Sequence, residues 1–155
     1  MIASYWVVPA SRAEDIRVAG KKPLGPPPTY ENALFALLEN YPGRSLEGES
    51  AGLYPQLGTF LADHAVPFSE GSRHALAGEL MVTQNALFWV FDHALALRCL
   101  TALGAAAVKL RDLAQHANEY FGERIEATYM KEVFAHFQHA LDATAPDELV
   151  ILHVG

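Results

Sequence analysis

The chain of 155 residues holds one cysteine, Cys99. One thiol cannot form an internal disulfide, so the fold must stand on its core. Cys99 shares an apolar helical pattern with Leu95, Leu97, Leu100 and Leu103, which reads as a buried, inert thiol. No apolar run reaches the roughly 20 residues of a membrane helix. The longest, residues 85–97, is interrupted by Asp92 and His93. Residues 1–9 lack a basic stretch and a long apolar segment, so they do not read as a signal peptide. A cytoplasmic protein with no membrane segment is the expectation. Positive charge is also scarce: 11 Lys and Arg against 18 Asp and Glu leave a formal charge of −7. An acidic surface repels phosphate backbones, which argues against nucleic acid as a partner. Neither a P-loop nor a G-x-G-x-x-G motif occurs, so phosphate binding has no sequence support.

What is present is an apolar fraction of 51%, enough to build a core. The length suits one domain covering 1–155. Residues 2–8 are β-branched and aromatic, stop at Pro9, and read as a strand. Ser11 and Glu14 have capping-box spacing before a short helix over 12–19. The proline-rich stretch 21–28 reads as a stiff connector, with a polyproline docking motif as the alternative. Thr29 is expected to cap a helix reaching Tyr41, with Leu34, Leu37, Leu38 and Tyr41 on one face. Residues 43–58 read as loop, followed by short helices over 57–64 and 73–81. Residues 87–91 read as a buried strand, then a helix over 93–103 capped by Asp92; one long helix from Gln84 is the competing reading. Helices follow over 105–120 and 123–143. The second should face Ile125, Tyr129, Val133, Phe137 and Leu141 to the core. Residues 148–154 close the chain as a strand. The expected class is α+β: a small sheet containing both terminal strands, packed against several helices.

The opening Met1-Ile2-Ala3-Ser4-Tyr5-Trp6-Val7-Val8 resembles the first strand of the YfbM-like family of uncharacterised bacterial proteins. Tyr129-Met130-Lys131-Glu132-Val133-Phe134-Ala135-His136-Phe137 and Asp147-Glu148-Leu149-Val150-Ile151-Leu152-His153-Val154 resemble its last helix and closing strand. The resemblance implies an α+β fold and no known activity, so no catalytic residue comes with it.

Three constellations bear on chemistry. Gly48-Glu49-Ser50-Ala51-Gly52 matches G-x-S-x-G, with Asp92 and His153 following in the order of a serine hydrolase. That motif requires a strand-to-helix turn, and the residues before it do not read as a strand. Glu132, His136 and His139 fall at i, i+4 and i+7, on one helical face, and supply a donor set for zinc or iron. The blander reading is a solvated polar face. Asp112, His116 and Glu119 repeat the pattern one helix earlier, where His116 would approach His136 or His139 if the two helices were antiparallel. Asp63-His64 and Asp92-His93 are neighbours in sequence and so diverge on a helix.

Acidic charge, modest size and the lack of a persuasive active site favour a protein-binding module. An immunity protein or inhibitor that neutralises a basic toxin or enzyme is one concrete form. Candidate contacts are Glu47 and Glu49 in the acidic loop and the carboxylates Glu119, Glu123 and Glu126. A metal-dependent enzyme using Glu132, His136 and His139, and a serine hydrolase using Ser50, are the alternatives. Tyr5, Trp6, Tyr54, Phe60, Phe68, Trp89 and Tyr120 could serve as anchors of an interface, but the core is the expected home of each.

Overall fold

The two terminal strands pair with each other at the centre of a four-stranded antiparallel sheet of order β2-β1-β4-β3. In this computed structural model, β1 is Ile2–Pro9, β2 is Gly43–Glu47, β3 is Leu87–Asp92 and β4 is Glu148–Val154. The structure describes every residue except 106–109 and 123–125. The helices are α1 (Ala13–Gly20), α2 (Ala33–Leu38), α3 (Tyr54–Asp63), α4 (Glu70–Arg73), α5 (Ala75–Gln84), α6 (His93–Ala105), α7 (Leu110–Phe121) and α8 (Ala127–Asp142). Short 3-10 turns cover Ala10–Arg12 and Ser50–Leu53. The fold is α+β, as the sequence pattern predicts.

Helices cover both faces of the sheet, which explains why β1, β3 and β4 are nearly continuous apolar runs rather than alternating ones. On one face, Ala3, Tyr5, Val7, Trp89, Phe91, Val150, Leu152 and Val154 pack against α3, α6, α7 and α8. On the other, Val8, Phe88, Val90, Leu149 and Ile151 meet Ile16 of α1, Leu34 and Leu38 of α2, and Leu76, Ala77 and Leu80 of α5. Each fully buried aliphatic or aromatic side chain contributes about 1.5–3 kcal/mol. Cys99 is fully buried on α6, and burial pushes its thiol up to about 12. Among the described residues, no helix is long and apolar enough to cross a membrane.

Several boundaries differ from the sequence reading, each for a local reason. The Ser11–Glu14 capping box does not form; a 3-10 turn precedes α1, and Glu14 instead pairs with Arg17. Asn32, not Thr29, caps α2: its side chain accepts from Leu34 N at 2.9 Å and Phe35 N at 3.4 Å. Pro55 does not interrupt a helix but sits in the first turn of α3, where a missing N–H costs nothing. Helix α5 ends at Asn85, whose left-handed φ of +51° closes it, so the long helix from Gln84 does not exist. Strand β3 forms, and Asp92 Oδ1 accepts from Leu95 N at 2.7 Å, the cap foreseen for α6.

The main departure is β2, read as loop. Its residues, Gly-Arg-Ser-Leu-Glu, are mostly exposed because it is an edge strand paired only with β1. Val7 N donates to Pro42 O at 2.8 Å and Gly48 N to Met1 O at 3.1 Å, which fixes the phase of the ladder. In that phase Arg44 and Leu46 direct their backbone groups to β1, while Gly43, Ser45 and Glu47 turn theirs outward. Among the described residues no strand pairs with that outward edge.

Candidate functional site: a polar ladder beneath the last helix

Helix α8 presents Glu132, His136 and His139 at the spacing that sets them on one face. That face is not solvated throughout. His136 is only 4% exposed and lies against the sheet and the turn before α3. Ser50 and Tyr54 are also four residues apart, so their side chains meet α8 as two successive rungs. The Ser50 hydroxyl donates to the Glu132 carboxylate. The Tyr54 hydroxyl and His136 Nδ1 are 2.6 Å apart, and His136 Nε2 lies 3.1 Å from the Arg44 carbonyl oxygen. A carbonyl only accepts, so Nε2 carries the proton of the neutral ring and Nδ1 accepts from Tyr54. A third rung joins the Tyr5 hydroxyl of β1 to His139 Nδ1.

The electrostatics follow from burial. Desolvation holds His136 below its ordinary value; the nearby charges of Arg44 and His139 act the same way, and the hydrogen bond to the Arg44 carbonyl opposes them. Burial raises the Tyr54 phenol well above its ordinary value and raises Tyr5, against which the Arg44 charge pulls downward. The ring edges also meet: Tyr5 and His136 have centroids 5.1 Å apart at 60°, and Tyr54 and His136 are 5.8 Å apart at 78°. The ladder joins α8, the turn before α3, β1 and β2. The buried pair of its middle rung, Tyr54 and His136, is mutually satisfied, which suits a device that fixes positions.

Next to it, at the surface, the charges of Glu49, Glu126 and Glu132 act on the Tyr129 phenol and raise its pKa. Tyr129 is half-buried at the start of α8 and does not point wholly into the core; Met130 beside it is the buried residue. Glu47 ends the exposed edge strand two residues before Glu49. The structure therefore groups Glu49, Glu126 and Glu132 round one tyrosine, close in the chain to Glu47. Glu119 lies on α7, exposed, and accepts from Gln115 at 2.8 Å. Glu123 lies outside the described residues.

The other sequence candidates separate. Ser50 is 2% exposed on a 3-10 turn, not on a strand-to-helix elbow, and its hydroxyl is engaged by Glu132. Asp92 is a helix cap. His153 faces the opposite side of the sheet, with ring centroids 4.9 Å from both Phe35 and Phe88. The hydrolase triad Ser50–Asp92–His153 is thus not assembled. Both nitrogens of His136 are engaged within the ladder, and among the described residues no three His, Cys, Asp or Glu side chains stand close enough to hold a metal ion. His116 meets Phe60 of α3 edge-on and its Nδ1 lies 3.8 Å from Asp63. His64 turns away from Asp63 toward the Phe60 carbonyl, at 2.9 Å.

Comparison of the chain with protein-family models, with curated proteins and with solved structures finds no match.

Proposed function

We propose that this chain is a cytoplasmic protein-binding module that holds a basic partner, as an immunity protein or inhibitor does. The face in question comprises the open edge of β2 and the carboxylates of Glu47, Glu49, Glu126 and Glu132 around Tyr129. The observation that carries this reading is the convergence of three acidic side chains on Tyr129 beside an unpaired strand edge. A tyrosine ringed by charge offers a rigid anchor with a polar tip, the pattern of a binding hot spot. The outward backbone groups of Gly43, Ser45 and Glu47 supply directional contacts to an extended segment. The net charge of −7 favours a cationic partner and accelerates encounter with it. The polar ladder holds β2 and the start of α8 in register behind this face. The YfbM-like kinship suggested by the terminal segments belongs to the same proposal and brings no activity.

The test is capture of a basic partner from host lysate by the intact chain, followed by association kinetics with the purified partner at low and high salt. The Glu47→Lys, Glu49→Lys double variant should slow association by at least about tenfold at low salt and much less at high salt. A partner that binds this variant at an unchanged rate would remove the acidic face from the proposal.

A further inference from the structure

On the opposite face of the molecule, α1 and α5 leave an apolar groove of about 580 Å³, bordered by Arg17, Lys21, Ala75, Gly78, Glu79 and Val82. Val82 is 84% exposed and Val18, next to Arg17, is 51% exposed. Gly78 occupies the middle of α5, where glycine is a poor helix former. A Cβ there would meet nothing within 4 Å among the described residues, so none of them requires the glycine. The groove carries charge of both signs. Arg17 pairs with Glu14 and, at 2.9 Å, with Glu79; Lys21 stands 3.5 Å from Glu79. These two cations and two anions cancel, on a chain whose overall charge is −7.

We infer that this groove is the contact through which a second copy of the chain docks, across a twofold axis. Two copies of an acidic chain repel over most of their surfaces, and repulsion is least where the local charge sums to zero. The groove is also self-complementary. Arg17 meets Glu79, and the side chain of Gln84 donates to the Gly20 carbonyl at 2.6 Å, so α1 and α5 run in the same direction. One twofold axis across the groove therefore turns both helices antiparallel to their counterparts. Along α5 the outer stripe grades from Ala75 through Gly78 to Val82. An antiparallel copy sets each Val82 over the other copy's Ala75 and Gly78, the large residue into the gap left by the small ones. Along α1, Glu14 and Lys21 are seven residues apart, two helical turns on one side, so the same operation brings each Glu14 opposite the other copy's Lys21.

Sedimentation of the full chain across a micromolar-to-millimolar concentration series tests this. A monomer–dimer equilibrium is expected. Val82→Glu should weaken it by at least about tenfold while leaving the far-ultraviolet spectrum and melting temperature unchanged, because the side chain is exposed. Glu14→Lys and Lys21→Glu should each weaken dimerisation, and the two together should recover it. Leu97→Glu, an exposed apolar site on α6, should have no effect. A chain that stays monomeric throughout overturns the inference. So does a Val82→Glu variant that dimerises like the parent, or a charge swap that does not recover. None of these outcomes bears on the acidic face, which lies elsewhere.

Discussion

The Tyr54 hydroxyl and the His136 imidazole form one hydrogen bond at 2.6 Å inside the protein, and the far side of the same ring reaches the Arg44 backbone at 3.1 Å. A single neutral histidine thus ties α3 to α8 and α8 to the edge strand. Removing the phenol oxygen leaves Nδ1 with no donor in a buried place. Tyr54→Phe should therefore cost about 1–3 kcal/mol, the desolvation penalty of an unpaired buried acceptor. Urea unfolding measures this, with an unchanged slope expected. A loss below about 0.5 kcal/mol would mean that the ladder adds little to stability.

Stability should decline as pH drops below the ordinary histidine value of 6.5. Desolvation lowers the pKa of His136, His153 and His74 in the folded chain. Between the folded values and 6.5, the unfolded chain binds more protons, so stability rises with pH across that window and is lost as pH falls through it. The His153 side chain makes no hydrogen bond among the described residues and sits among Trp6, Phe35 and Phe88. His153→Phe should preserve the fold and flatten part of the pH dependence between 6.5 and the folded value. Denaturation midpoints measured at a series of pH values from 7.5 downward give the answer, and an unaltered profile in the variant would exclude His153 as a contributor.

Gly43 begins the edge strand where no side chain fits. A Cβ there would lie 2.4 Å from the Tyr5 carbonyl oxygen and 2.8 Å from Trp6 Cδ1. The backbone oxygen cannot move aside without breaking the sheet. Gly43→Ala should destabilise the protein by about 1–3 kcal/mol. It should also speed hydrogen exchange at the Arg44 and Leu46 amides, which point to β1, before it affects β4. Uniform exchange across the sheet would instead show that β2 opens only with the whole fold.

Three of the four strands were legible because they are covered on both faces, and composition reports burial. The fourth was not: Gly, Arg, Ser and Glu have little preference for strands, and β2 is held by backbone pairing to β1 rather than by a buried side. The helical face of Glu132, His136 and His139 was visible in its spacing. Its chemistry was not, because the partners Ser50, Tyr54 and Tyr5 stand 82 to 134 residues away in the chain. Nothing local marks a tyrosine on a strand as the neighbour of a histidine near the other end. Tyr129 was misplaced for a related reason: periodicity assigned it to the inward side, while the start of α8 leaves it at the rim with Met130 turned inward.

Strand order has a kinetic consequence. The centre of the sheet joins residues 2–9 to residues 148–154, a pairing of segments far apart in sequence. Strand β1 must wait for β4, which is made much later, and one of its flanks stays unpaired until β4 arrives. Local helices can form early, but β3 has no neighbour until β4 arrives between it and β1. Closing that long loop comes before the contacts that reward it, so folding should be slow for this size and concentrated in one late, cooperative step.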